Sequence, residues 1–345
     1  MKIEALVRDN IKALQPYSSA RDEFKDMQSD MVFVDANENP FNNGLNRYPD
    51  PQQRALKSEL SELKSITTDS ILIGNGSDEV LDLIIRSFCE PKVDKIVSLP
   101  PTYGMYKVLS GTNAVDNIEI PLLEGFQPDV ETIIQTQDVT TKLLFLCSPN
   151  NPTANSLDAD KVEQLIKAFK GIVVIDEAYI DFSSSESWIS RLNEFPNLIV
   201  TQTLSKAYGL AAIRLGICYA SPYIISVLNK IKPPYNVNQL TQSAALKALK
   251  ERQVVTESIA MIIKERELLL EQLQNIEFVK YIYPTDANFI LIKVDDANAR
   301  YQQLIDKGIV VRNRTSQYGC ENCLRITVGT KKENETLINT LKNSK

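Results

Sequence analysis

The chain has 345 residues, 43% of them hydrophobic and 24% charged, with five cysteines and no histidine. This mix excludes the disordered and collagen-like classes, and the length exceeds one compact core, so one large and one smaller domain are expected. A net charge of -6 without clustered Lys and Arg excludes a nucleic-acid partner, and the missing histidine removes Ser-His-Asp, Cys-His and His-metal mechanisms together.

The N-terminus MKIEALVRDNIKAL is amphipathic but mixes charges into its apolar positions, unlike a secretory signal. Apolar runs elsewhere are far shorter than a membrane span, and an odd number of scattered cysteines suits buried thiols better than a disulfide framework. A cytoplasmic protein without a membrane partner is expected. From about residue 70, short β-rich runs alternate with helical patterns, which predicts a mostly parallel sheet. Strands are expected over 71–73, 95–99, 115–120, 142–147, 172–176, 198–201 and 215–220. The helix 78–88 places Val80, Leu81, Ile84, Ile85 and Phe88 on one face, and 160–169 does the same with Val162, Leu165, Ile166 and Phe169. After Pro233-Pro234 the texture changes to helices over 238–250 and 254–273, strands over 289–294 and 324–328, and helices over 299–307 and 333–341. That pattern predicts a small α+β unit. The expected division is a large domain over 46–235, and a small domain from 1–45 and 236–345 with an N-terminal arm.

Chemistry concentrates at strand ends. Gly74-Asn75-Gly76-Ser77-Asp78-Glu79 opens the first crossover helix, where backbone amides suit a phosphate. Glu79 stands in place of the third glycine of a dinucleotide fingerprint, which weakens a dehydrogenase reading. Cys147-Ser148-Pro149-Asn150-Asn151-Pro152-Thr153 puts the Asn151 amide on the carboxyl edge of the sheet, or is simply a turn. The strand Ile172-Val173-Val174-Ile175-Asp176 ends in a carboxylate with Tyr179 three positions on. Asp176 either faces a pyridinium nitrogen or caps the following turn. Thr203-Leu204-Ser205-Lys206-Ala207-Tyr208-Gly209, with Arg214 eight residues past the lysine, sets an amine beside a hydroxyl and a guanidinium. Such groups at a strand's carboxyl end suggest pyridoxal phosphate held by Lys206 as a Schiff base. Cys320-Glu321-Asn322-Cys323 is a C-x-x-C pair without a second pair or a histidine to complete a zinc site, so free thiols are the default.

Taken in this order, these elements resemble the fold-type-I pyridoxal-phosphate aminotransferases, the aspartate aminotransferase superfamily. Further motifs are similar to the histidinol-phosphate aminotransferase branch: Val7-Arg8-Asp9-Asn10-Ile11, Asp35-Ala36-Asn37-Glu38-Asn39-Pro40, Arg47-Tyr48-Pro49-Asp50, Pro101-Thr102-Tyr103-Gly104-Met105-Tyr106 and Leu324-Arg325-Ile326-Thr327-Val328-Gly329. The likeness runs from about residue 7 to about 330.

The resemblance implies an α/β fold: a large domain with a mostly parallel seven-stranded sheet sandwiched by helices, plus a smaller α+β domain. It implies that Lys206 bonds the cofactor, Asp176 pairs with the pyridine nitrogen, and Tyr179 and Asn151 hydrogen-bond the ring oxygen. Gly76, Ser77, Asp78, Ser205 and Arg214 would hold the cofactor phosphate and Tyr103 would stack on the ring. Tyr48 would enter from the neighbouring subunit of a homodimer, while Arg325 and Arg312 would bind the anionic end of the substrate. The implied reaction moves an amino group between histidinol phosphate and 2-oxoglutarate or glutamate in histidine biosynthesis. Rivals are an aromatic or broad amino acid aminotransferase, threonine-phosphate decarboxylase, and a regulatory protein on the same fold. The asparagine loop departs from the family pattern at Ala154, where glycine is usual; a positive φ there costs about 1 kcal/mol or more.

Overall fold

In the computed structural model, which describes residues 2–17 and 31–343, strands buried along nearly their whole length build the centre of the larger sheet. Its strands are β1 (Ile71–Asn75), β2 (Lys95–Ser98), β3 (Asp116–Glu119), β4 (Thr141–Cys147), β5 (Ile172–Asp176), β6 (Leu198–Thr203) and β7 (Leu215–Ala220), in the order β1-β7-β6-β5-β4-β2-β3. Val173 and Ile175 of β5 enter one core cluster, with Leu144, Leu146 and Val200, while Ile172 and Val174 enter the other, with Leu143, Phe145 and Ile199. Both faces are apolar because helices cover both. On one side lie Gly76–Phe88 and Pro222–Ile231, and on the other Arg54–Lys64, Ala159–Ala168 and Gln239–Lys250.

Only β7 runs against the rest. The loop 204–214 between β6 and β7 contains no crossover helix, so the chain turns straight back, and this loop carries the lysine. Strands β5 and β7 fall on the bounds expected from sequence, and β6 runs two residues further, to Thr203. The helix expected at 78 begins at Gly76, in the middle of the glycine motif. Helices Arg54–Lys64, Met105–Thr112, Val130–Thr136 and Pro222–Ile231 were not anticipated.

A second, antiparallel sheet has the order β10-β11-β9-β8, from β8 (Val279–Ile282), β9 (Phe289–Val294), β10 (Arg312–Asn313) and β11 (Cys323–Thr327). Leu269, Leu273, Leu337, Ile338 and Leu341, from helices Arg252–Leu273 and Lys331–Lys342, pack on its Ile290, Ile292, Leu324 and Ile326. A reciprocal cap between Thr330 and Glu333 fixes the start of the last helix. The segment holding Ile3, Leu6, Val7 and Ile11, grouped above with the small domain, packs instead with Leu72, Ile84 and Ile225 of the larger one. Residues 18–30 of the expected arm lie outside the described residues.

The two sheets meet at an apolar seam of Ala154, Tyr179, Phe182, Ala207, Ala287 and Phe289. Arg266 donates across it to the carbonyls of Phe182 at 3.2 Å and Ala287 at 3.0 Å. The Asp286 N–H donates to the Ala154 carbonyl at 2.8 Å. The carboxyl ends of β4, β5 and β6 therefore face β10 and β11 across a fixed joint.

Candidate active site

At this joint lies a cavity of about 470 Å³ lined by the ends of β4 to β6, the start of the helix Gly76–Phe88, and Arg312 and Arg325 of the second sheet. Its floor is Asp176, 3% exposed. The Tyr106 hydroxyl donates to Asp176 Oδ2 at 2.9 Å, and the Thr201 hydroxyl donates to Oδ1 at 3.3 Å. Burial pushes the carboxyl up from 3.8 to about 6, while hydrogen bonds from Tyr106, the Ala178 backbone and Thr201 hold it back. Turn capping is thus one part of what Asp176 does, and its free side faces the cavity.

One end of the cavity suits a phosphate. Gly76 has φ +76°, and its N–H donates to the Arg214 carbonyl at 2.9 Å. A Cβ on Gly76 would stand 2.6 Å from an Arg214 guanidinium nitrogen, and one on Gly216 would stand 2.3 Å from the Gly76 carbonyl carbon. Two glycines therefore let β7 and the helix start close on one another. Ser77, Ser205 and Arg214 line this end, and helix-start N–H groups there lack intrahelical partners. Arg214 pairs with Asp78 at 3.3 Å, and the Tyr103 hydroxyl donates to the same carboxylate at 2.9 Å.

Lys206 leaves β6 with its ammonium 5.7 Å from the centre of the Tyr179 ring. Its pKa is lowered, chiefly by burial, then by the charge of Arg325. The Asn151 amide donates to the Tyr179 hydroxyl at 3.3 Å, and its oxygen accepts from the Arg325 guanidinium. Residues 176 and 206 thus line one cavity.

Residues 21–341 match the family model described as aminotransferase class I and II. The chain belongs to this family. Its members are pyridoxal-phosphate-dependent aminotransferases. Histidinol-phosphate aminotransferases of Flavobacterium johnsoniae and Flavobacterium psychrophilum are 62% and 59% identical to it, each alignment covering 99% of this chain and 98% of the relative. The crystal structure of the histidinol-phosphate aminotransferase from Clostridium acetobutylicum superposes with a TM-score of 0.80 at 26% identity, covering 87% of this chain and 90% of that one.

The donor set of this aminotransferase fits the family's cofactor. A dianion acceptor (Ser77, Ser205, Arg214 and the Gly76 turn) lies at one end, an anionic acceptor for a ring nitrogen (Asp176) on the floor, and an amine between them. The missing Cβ at residue 76 lets the Arg214 guanidinium lie directly against the helix start, which brings a cation to the end where a phosphate would be held. Of the residues singled out in the sequence, Ser77, Asp78, Tyr103, Asn151, Asp176, Tyr179, Ser205, Lys206, Arg214, Arg312 and Arg325 line the cavity. Tyr48 does not: it is half exposed and stacks on Tyr235 at 4.5 Å, beside a separate groove lined by Asn37, Arg47 and Leu240.

Sequence reasoning missed Tyr106 and Thr201, which hold Asp176 from other strands and helices, and Gln317, which joins the arginine wall. Arg314 was visible as a residue sharing the face of Arg312, and it lines the cavity too. Ala154 has φ +69° and is fully buried, so the strain expected for a non-glycine residue is present. Cys320 and Cys323 are buried free thiols, and among the described residues no cluster of His, Cys, Asp or Glu could hold a metal.

Proposed function

We propose that this aminotransferase moves an amino group between histidinol phosphate and 2-oxoglutarate or glutamate in histidine biosynthesis, using pyridoxal phosphate carried on Lys206. The observation that carries the reading is the single cavity holding Lys206 and Asp176, with a phosphate cradle at one end and Arg312 and Arg325 at the other. The names of the relatives at 62% and 59% identity supply the substrate.

Bound there, pyridoxal phosphate would supply an aldehyde carbon that takes up the substrate's amine and a ring that withdraws electrons from the neighbouring C–H bond. Gly76, Ser77, Asp78, Ser205 and Arg214 would anchor its phosphate, Tyr103 would cover the ring, and Asn151 and Tyr179 would hydrogen-bond the ring oxygen. The Asp176 carboxylate would hold a proton on the ring nitrogen, the charge state in which electron withdrawal is strongest. The Lys206 amine, with its pKa lowered by burial, would take the proton from the substrate carbon at neutral pH. No histidine is required. Arg325 and Arg312 would bind the substrate's anionic end and exclude water from that wall.

A homodimer in the cytoplasm completes the reading. Leu45, Tyr48 and Leu240 expose apolar surface in the groove beside residues 37–49, which suits a second copy and would carry Tyr48 to the partner's cavity. Five unbridged cysteines suit a reducing compartment. The test is a coupled assay with histidinol phosphate and 2-oxoglutarate, run beside phenylalanine, tyrosine and threonine phosphate, with cofactor absorbance followed. Preference for histidinol phosphate and loss of turnover in Lys206→Ala are expected. Equal turnover by Lys206→Ala, or preference for an amino acid without phosphate, would sink the proposal.

A further inference from the structure

We infer that Arg314, with Gln317 beside it, is a specificity residue that makes the substrate end of the cavity selective for a doubly charged phosphate monoester over a carboxylate. The inference rests on the phosphate substrate proposed above and names a residue beyond Arg312 and Arg325.

Arg312 and Arg325 are directly opposed in the β10–β11 pair, so their side chains leave the same face of the sheet. Arg314 continues that edge, its N–H donating to the Cys323 carbonyl at 2.8 Å, and two residues past Arg312 it returns to the same face. All three guanidinium-bearing residues line the cavity together with Gln317, which the turn after β10 brings back through its N–H bond to the Arg314 carbonyl at 2.9 Å. Among the described residues none of the three is paired with a carboxylate, whereas Arg214 at the opposite end has Asp78. The buried Nε atoms of Arg314 and Arg325 and the buried Oε1 of Gln317 have no hydrogen-bond partner. The charges are close enough to act on each other: Arg314 lowers the pKa of Arg325, after burial, and Arg312 lowers that of Arg314, again after burial.

Three uncompensated cations on one wall call for more than one negative charge. A carboxylate brings a single charge and two oxygens, enough for one fork-shaped pair. A phosphate monoester brings nearly two charges and three terminal oxygens, enough to face three guanidinium groups at once. Arg314 is what separates the two cases, because Arg325 also serves Asn151.

The experiment uses holoenzyme of the wild type, Arg314→Gln and Arg314→Lys. It measures kcat/KM for histidinol phosphate and for glutamate, and the Kd of inorganic phosphate by calorimetry between pH 5.5 and 8. Arg314→Gln should lose roughly 10- to 100-fold in kcat/KM for histidinol phosphate, the worth of hydrogen bonds to a charged group, and at least tenfold more than it loses for glutamate. Arg314→Lys, which keeps the charge but not the fork, should fall between. Wild-type affinity for inorganic phosphate should weaken toward the acid end of that range, where the dianion gives way to the monoanion, and this dependence should flatten in Arg314→Gln. Equal losses for both substrates, or unchanged phosphate affinity, would overturn the assignment. A wild type that uses glutamate but not histidinol phosphate would instead overturn the proposed function, and the phosphate titrations would then decide the role of Arg314 alone. If Arg314→Gln does not fold, the Arg314→Lys ratio and the wild-type pH profile still decide.

Discussion

The hydroxyl of Tyr106 lies 2.9 Å from Asp176 Oδ2 in the fully buried floor of the cavity, and its ring stacks on Phe145 at 4.9 Å. Tyr106→Phe keeps the ring and deletes one donor to a carboxylate that already has few. The Asp176 carboxyl should then titrate above its value of about 6, and the affinity for pyridoxal phosphate should fall roughly tenfold or more, as expected for a lost hydrogen bond to a charge. Infrared titration of the apoprotein and a cofactor Kd check this. An unchanged Asp176 titration would deny the contact its role.

Asp176 itself sets a stability trade. The folded carboxyl holds its proton more tightly than the unfolded one, so its contribution is full below pH 3.8 and is lost as pH rises through about 6. The loss amounts to about 3 kcal/mol for this fully buried group. Apoprotein carrying Asp176→Asn should therefore melt higher than wild-type apoprotein at pH 8 and about equally at pH 4, while cofactor-dependent turnover collapses. A lower melting temperature at pH 8 would contradict the burial argument.

The amine of Lys206 should react with an acylating reagent at a pH where solvent lysines are still protonated, because burial comes first and Arg325 second in lowering its pKa. Arg325→Gln removes that second cause and should move the labelling curve upward. Competitive labelling with mass-spectrometric readout measures both. A curve matching surface lysines would remove the physical basis for Lys206 as a base.

Gly216→Ala places a Cβ against backbone, 2.3 Å from the Gly76 carbonyl carbon, which cannot give way as a side chain can. A loss of about 3 kcal/mol or more is expected in denaturant titration of the apoprotein. Gly76→Ala meets only the far end of Arg214 but must hold φ +76°, so about 1–2 kcal/mol is expected, with weaker cofactor binding. The reverse ranking of the two would show that the cradle is not built on this close approach.

Ala154→Gly sets two small effects against each other. Relief of the φ +69° strain gives about 1 kcal/mol, and loss of a buried methyl costs about 0.8 kcal/mol. Stability within about 1 kcal/mol of wild type and full turnover are expected. A drop beyond 2 kcal/mol would mean that the methyl is a necessary part of the seam with Tyr179 and Phe289.

By itself, the sequence determined which chemical groups this protein brings to its site. Lys206, Asp176, Asn151, Arg214 and the Gly76 turn sit at the ends of short apolar runs, and a strand's carboxyl end is a local feature that its own residues specify. At residue 154 the family resemblance only flagged Ala where glycine is usual, and the structure supplied the positive φ. Only the tertiary structure decided which groups support the first ones. Tyr106 and Asp176 are 70 residues apart in the chain, and Arg325 reaches Asn151 across 174. It also drew Arg314 and Gln317 into the arginine wall and left Tyr48 on the surface against Tyr235. Such pairings depend on how two sheets dock rather than on spacing along either, and a periodic pattern tells which face of an element is buried but not what it is buried against.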